Sequence, residues 1–307
     1  MVEVLLATYN GEKYLRKQLD SILGQDYRDF TVTIRDDGST DGTAEIIEMY
    51  LEMYPNKVKL YKSTSEYKSA ISNFSELMKQ AKGDYIAFCD QDDIWESSKI
   101  TKEINAMIRA ESAAGSRAPV LVHSDLAVVD EMLNPIAPSY MSYANIQPEK
   151  FSIKRALAES CVKSSTVLIN GSMLTMCKNV PDNAISIDWW LTINAAAFAK
   201  TVYIKESLVK YRQHKGSFVG ARPGKSIKLL QNTELIREMK FDTQKSYYQA
   251  REFIEKNPKG LSQDKLDIIT KYGNMVDVNP FVRGVKVLAG GYTKKGIVKS
   301  FSQLINA

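Results

Sequence analysis

The sequence predicts an α/β fold: a mixed, mainly parallel, Rossmann-like sheet with helices on both faces, followed by a helical C-terminal extension. Three observations carry this. Short apolar runs of strand-forming residues alternate with stretches of helical apolar spacing through the first hundred residues. Asn, Asp, Gly and Ser cluster between them as turn signals. From about residue 226 onward the apolar spacing becomes helical alone.

In order, Val2 to Thr8 is a buried strand closed by Asn10-Gly11, and Leu15, Leu19, Ile22 and Leu23 recur at helical spacing. Phe30 to Arg35 is a second strand running into Asp36-Asp37-Gly38-Ser39, and Ala44 to Tyr54 a second helix. Val58 to Tyr61 is a third strand, Ala70 to Ala81 a helix, Tyr85 to Cys89 a fourth strand, with a helix expected from near Glu96. Arg222-Pro223-Gly224 reads as a hinge, after which Ile227, Leu230, Leu235, Ile236 and Met239 mark a helix reaching about Lys256, and Gly260 to Tyr272 another. The expected domains are therefore 1–220, holding the sheet, and 221–307, a helical extension.

With 307 residues, 44% hydrophobic and 25% charged, the chain can bury a sizeable core. A net charge of +5 suits phosphate-bearing partners, and nucleic acid is not expected among them. Cys89, Cys161 and Cys177 have no zinc spacing and leave an odd count, which fits a reduced, cytoplasmic setting. The first residues show no secretory pattern, and no apolar run reaches the roughly 18 residues a membrane span needs. The tail from Phe281 to Ile305 interleaves apolar residues with Arg283, Lys286, Lys294, Lys295 and Lys299. Three readings stay open for it: packing on its own domain, contact with a partner subunit such as a second copy, or a peripheral position on the inner face of the cell membrane.

The chemistry concentrates in GDYIAFCDQDDIW, residues 83–95. Asp90, Asp92 and Asp93 follow a buried strand so closely that their repulsion calls for a positive partner. A hard divalent cation, Mg²⁺ or Mn²⁺, shared with substrate phosphates would supply it, and a solvated acidic turn is the alternative. In parallel sheets ligands sit beyond the carboxyl ends of strands. Thr8-Tyr9-Asn10, Asp36-Asp37 and Asp90 to Asp93 all follow strand ends, so they should meet along one rim. Such a rim suits a nucleotide diphosphate: an aromatic for the base, acceptors for its N–H groups, and carboxylates for a metal.

The segments ATYNGEKYL, RDDGSTDGT and GDYIAFCDQDDIW resemble family 2 glycosyltransferases of the GT-A fold. NGSMLTMCKNV and the stretch from SIDWW to YRQHKGSFVGA are similar to the rhamnosyltransferases of that family. The resemblance implies a base and ribose pocket at Thr8, Tyr9, Asn10, Asp36 and Asp37, with Asn73, Asp90 and Gln91 also at the donor. It implies Asp92 as principal metal ligand, Asp188 as catalytic base, and Arg212, Gln213 and His214 at the diphosphate, His214 also toward the metal. Relatives often carry a Glu-Asp pair at the base, whereas Ile187 precedes Asp188 here.

Inverting sugar transfer needs a base for the acceptor proton and an electrophile for the leaving diphosphate. Asp188 beside the water-excluding Trp189 and Trp190 suits the first role, and the indoles are read either as an acceptor-sugar platform or as core. The expected partners are a nucleotide-diphosphate sugar, dTDP-rhamnose or a UDP-sugar, and a glycan or lipid-linked acceptor. The non-enzymatic alternative is an inactive nucleotide-sugar or carbohydrate-binding protein. His123, isolated between Val122 and Ser124, is expected to be a satisfied structural histidine. Aspartyl-nucleophile phosphatases need their nucleophile where Thr8-Tyr9-Asn10 stands, and no glycine-rich loop supports a nucleotidyltransferase or dinucleotide enzyme.

Overall fold

The computed structural model describes residues 1–62, 69–115, 117–181, 184–214, 233–257 and 260–292, with backbone alone for 233–240. The expected hinge at Arg222-Pro223-Gly224, residues Ile227 and Leu230, the side chains of Leu235, Ile236 and Met239, and the tail beyond Tyr292 lie outside the described residues. The elements are β1 (Val2–Thr8), α1 (Glu12–Leu23), β2 (Phe30–Asp36), α2 (Thr43–Met53), β3 (Val58–Leu60), α3 (Ala70–Gln80), β4 (Tyr85–Asp90), β5 (Ile94–Trp95), α4 (Lys99–Ala114), β6 (Val120–Val129), β7 (Pro135–Ala137), α5 (Tyr140–Tyr143), α6 (Ile153–Ala158), β8 (Val167–Asn170), α7 (Gly171–Cys177), α8 (Ile187–Phe198), β9 (Lys200–Arg212), α9 (Thr233–Lys256), α10 (Gln263–Gly273) and α11 (Pro280–Ala289).

They form two compact units. The first comprises Met1–Tyr140, Lys163–Val180 and Ala199–Gly220 and holds the sheet, in the order β3-β2-β1-β4-β8-β6-β9-β5 with β7 on β6. Strands β1 to β4, β6 and β9 share one direction; β5, β7 and β8 oppose it. Val2, Val4, Leu5 and Leu6 of β1 and Ile86 to Cys89 of β4 are fully buried, because a central parallel strand is covered on both faces and reads as a continuous apolar run. Helix α1 sets Leu15, Leu19 and Ile22 inward at helical spacing, with Gln18 donating to Cys89 Sγ at 2.8 Å. The helix expected from Glu96 begins instead at Lys99, since Ile94 and Trp95 pair with β9 and the Glu96 N–H donates to Leu208 O.

The second unit comprises Met141–Val162, Pro181–Phe198 and Ala221–Ala307, so the C-terminal helices cluster with two earlier segments, one of them bearing Asp188. Its aromatic core sets Trp190 edge-on to Phe253 at 5.6 Å and Tyr272 between Tyr247 and Tyr292 at 4.9 and 5.0 Å. Among the described residues no helix is long and apolar enough to cross a membrane.

Candidate active site

The carboxyl ends of β1, β2 and β4 lie side by side: the register sets Thr8 beside Asp36 and Ala7 beside Asp90. The three polar clusters therefore share one edge of the sheet. Asn73, reaching from α3, fastens it by donating through Nδ2 to the carbonyls of Thr8 and Arg35, both at 3.1 Å.

After β1 the chain turns at Asn10, whose φ of 48° is a left-handed value that Asn tolerates. Asn10 Oδ1 accepts from the Thr40 N–H at 2.8 Å, and its own N–H donates to Ser39 Oγ at 2.8 Å. The preceding Tyr9 is held from the other side, its N–H donating to Gln91 Oε1 at 2.8 Å and its carbonyl accepting from Gln91 Nε2 at 2.9 Å. Its backbone is fixed while its side chain is 53% exposed, which leaves the ring face open to a flat ligand.

The acids after β2 do different work. Asp36 accepts from Thr8 Oγ1, the Ser39 N–H and Ser39 Oγ at 2.6 to 2.8 Å, capping the turn. Asp37 is buried, with Oδ1 accepting from Arg35 Nη1 at 2.8 Å.

Beyond β4, the end of β9 meets the acidic loop across the sheet. His214 Nε2 stands 2.8 Å from Asp92 Oδ2, and its ring packs on Tyr14 at 4.6 Å. Tyr14 OH donates to Glu131 at 2.8 Å and Lys13 Nζ donates to the same carboxylate; the lysine's hydrogen bond, then the phenol's, hold the Glu131 carboxyl below the usual range. Asp90 is half-buried at the strand end.

Two of the residues singled out in the sequence, Asp93 and Arg212, are buried. Asp93 is fully buried, its Oδ1 accepting from the Arg212 N–H at 3.1 Å, whereas Asp90 and Asp92 are half-buried. Burial first, then the Asp92 and Asp90 charges, push its carboxyl well above the usual range. Arg212, expected at the diphosphate, is buried with Nε on Asp92 O and Nη1 on Glu131 O, both at 2.7 Å, because its planar fork braces two loops. Gln213 is tied by its N–H to Val129 O at 2.9 Å and by Nε2 to Arg212 O at 3.1 Å.

Asp188 is half-buried in the first turn of α8, its carbonyl accepting from Thr192 Oγ1 at 2.7 Å. The indoles after it are buried: Trp189 donates Nε1 to Ala156 O at 2.7 Å, and Trp190 packs on Phe253. His123 is buried as expected, yet neither ring nitrogen has a hydrogen-bond partner among the described residues, and burial pushes its imidazole down to about 4. Tyr14 and Glu131 escaped sequence reading. Tyr14 lies inside the ATYNGEKYL stretch, where its spacing could have flagged it, whereas Glu131 carries no local signal.

The pair Asp92 and His214 offers one carboxylate and one imidazole at the same point. Among the described residues no three acidic, His or Cys side chains gather to hold a metal on their own. The donor set thus fits a divalent cation that completes its shell with substrate oxygens and water, as Mg²⁺ and Mn²⁺ do.

The family model described as glycosyl transferase family 2 matches residues 3–151. The dTDP-rhamnosyl transferase RfbG of Shigella flexneri is 30% identical over 222 residues, 70% of this chain and 74% of that protein. Mycobacterium tuberculosis and Mycobacterium bovis proteins 26% identical over 69% of this chain are longer, and the match spans 59% of each. Staphylococcus aureus TarS 1-349, solved with UDP-GlcNAc, is similar in structure with a TM-score of 0.57 at 18% identity, covering 99% of this chain and 79% of that one. The mannosyltransferase PcManGT of Pyrobaculum calidifontis, solved with GDP-Man and Mn²⁺, gives 0.54 at 16% identity, covering 99% and 78%. These likenesses are of fold, and they match the GT-A type of sheet expected from the sequence.

Proposed function

The chain belongs to glycosyltransferase family 2, and from that premise we propose that it transfers one hexosyl unit with inversion, L-rhamnosyl from a dTDP donor, to a hydroxyl of a cell-surface polysaccharide or lipid-linked glycan. The observation that supports this best is the meeting of Asp92 and His214 at 2.8 Å on the strand-end edge where Tyr9 is exposed. The choice of sugar follows the Shigella flexneri relative.

In the reaction the acceptor oxygen attacks the anomeric carbon, the bond from that carbon to the diphosphate breaks, and the nucleotide diphosphate leaves with the electron pair. Asp188 is assigned the base, from its place in the SIDWW segment, and takes the hydroxyl proton. Tyr9 stacks on the base, with Asp37 and Asp90 lining the nucleoside. Asp92 and His214 would hold a divalent cation, Mg²⁺ or Mn²⁺, which when bound would offset charge growing on the leaving diphosphate. Gln213 lies beside them, while Arg212 and Asp93 keep the loops in place.

Asp188→Asn is the test, assayed with dTDP-rhamnose. Transfer should fall by at least about 100-fold, the lower bound expected of a general base, while donor-induced thermal stabilisation stays at the wild-type level. Normal turnover by the Asn variant would remove the base assignment.

A further inference from the structure

We propose that α11 docks this protein on an anionic lipid bilayer. The helix turns Arg283, Gly284 and Val287 inward, and Arg283 spends its guanidinium on the carbonyls of Val276 and Val278. Its opposite face is apolar and open to solvent: Phe281 is 83% exposed, and Val282, Val285 and Leu288 are between 44 and 56% exposed. Positions i, i+1, i+4 and i+7 form one stripe on a helix. An ordinary surface helix shows polar residues there. An apolar patch of this kind, on the order of a few hundred Å² across, marks an interaction site in a soluble protein.

Charge selects the partner. Of the 41 lysines and arginines, five lie after Asp277 (Arg283, Lys286, Lys294, Lys295 and Lys299), and none of the 36 acidic residues does. The preceding 277 residues therefore balance at 36 of each sign, and the whole excess of +5 sits in the last 30 residues of the sequence. Lys286 is exposed on the same helix as the stripe. A second copy packed on this stripe in a two-fold arrangement would bring two such segments together with no acidic residue in either to oppose them. A bilayer with anionic headgroups meets both requirements, taking Phe281, Val282, Val285 and Leu288 at the acyl boundary and Lys286 at the phosphates. The proposal is independent of the donor-site reading.

The test is co-sedimentation of the full chain with vesicles of phosphatidylcholine alone and of phosphatidylcholine mixed with phosphatidylglycerol. Pelleting should require phosphatidylglycerol and weaken at high salt. Phe281→Ser with Val285→Ser should lower partitioning at least tenfold while circular dichroism and elution volume stay unchanged, and Lys286→Gln should lower it about fivefold. Equal pelleting with both vesicles, no pelleting with either, or wild-type pelleting by the double variant would overturn the proposal. A wild-type dimer that the double variant converts to monomer, without vesicle binding, would assign the stripe to a second copy instead.

Discussion

Asp92 Oδ2 and His214 Nε2 lie 2.8 Å apart although 122 positions separate them in the chain. The register explains how. β4 delivers Asp92 just past its end, β9 delivers His214 just past its own, and β5 pairs Ile94 with Lys210 to bring the two strand ends into line. Arg212 then bonds Asp92 O, and Asp93 bonds the Arg212 N–H, so the loop and the strand end are cross-braced in both directions.

Gln91 is a strut for the turn after β1, and Gly11 leaves it room. A Cβ on Gly11 would stand 2.3 Å from Gln91 Oε1, so Gly11→Ala should expel the amide that holds both polar groups of Tyr9. The expected loss is about 1–3 kcal/mol in urea unfolding, with weaker donor binding. In a Gln91→Ala background the same substitution should cost almost nothing. An equal cost in both backgrounds would show that the clash lies elsewhere.

Two buried groups pull the pH dependence of stability in opposite directions. Burial raises the Glu103 carboxyl to about 7, against the opposing pull of Lys99 at 2.8 Å. Its folded value exceeds its unfolded one, so its contribution is complete below about 4.5 and lost as pH rises through about 7. Replacing the pair by Lys99→Met with Glu103→Leu should therefore give a variant whose stability relative to wild type grows by about 3 kcal/mol across that window.

His123 has the reverse sign. Its imidazole is depressed to about 4, so its contribution is complete above about 6.5 and lost as pH falls through 4. Relative to His123→Leu, the wild type should lose about 3 kcal/mol on that descent. Denaturant titrations of wild type and both variants from pH 4 to 7.5 check both slopes, and parallel curves would refute the assignments.

The tryptophans test core against acceptor contact. Trp190→Ala should cost about 3–5 kcal/mol, as large aromatic truncations in cores do. Trp189→Phe should cost about 1 kcal/mol through the lost bond to Ala156 O. Neither Trp189→Phe nor a folded fraction of Trp190→Ala should raise KM for the acceptor. A raised acceptor KM at unchanged stability would favour the platform reading.

Where one periodicity ruled, the sequence could be read well. β1 and β4 are covered on both faces, so apart from Glu3, which accepts from Thr33 Oγ1, their side chains ahead of the polar strand ends are mostly apolar, and α1 carries its buried residues at clean helical spacing. The other half of the sheet was hidden for physical reasons. β6 runs through His123-Ser124-Asp125, a polar interior made tolerable by bonds such as Tyr203 OH to Asp125 Oδ2, and its pairing with β9 shifts register twice there. β9 reads as half-exposed and charged because it carries Lys205, Glu206 and Lys210. At the site, acids were visible as acids, but their roles were not: Asp93 and Arg212 look like ligands in a string of letters and are braces in space.

The most direct measurement is a double-mutant cycle on donor binding, with dTDP-rhamnose titrated in the presence and absence of Mn²⁺ against wild type, Asp92→Ala, His214→Ala and the double variant. If the two side chains hold one cation, each single change should remove most of the Mn²⁺-dependent gain, beyond the roughly 10–100-fold that outer partners of a metal cost, and the double change should add little. Additive losses, or a full Mn²⁺ gain surviving in His214→Ala, would contradict the account.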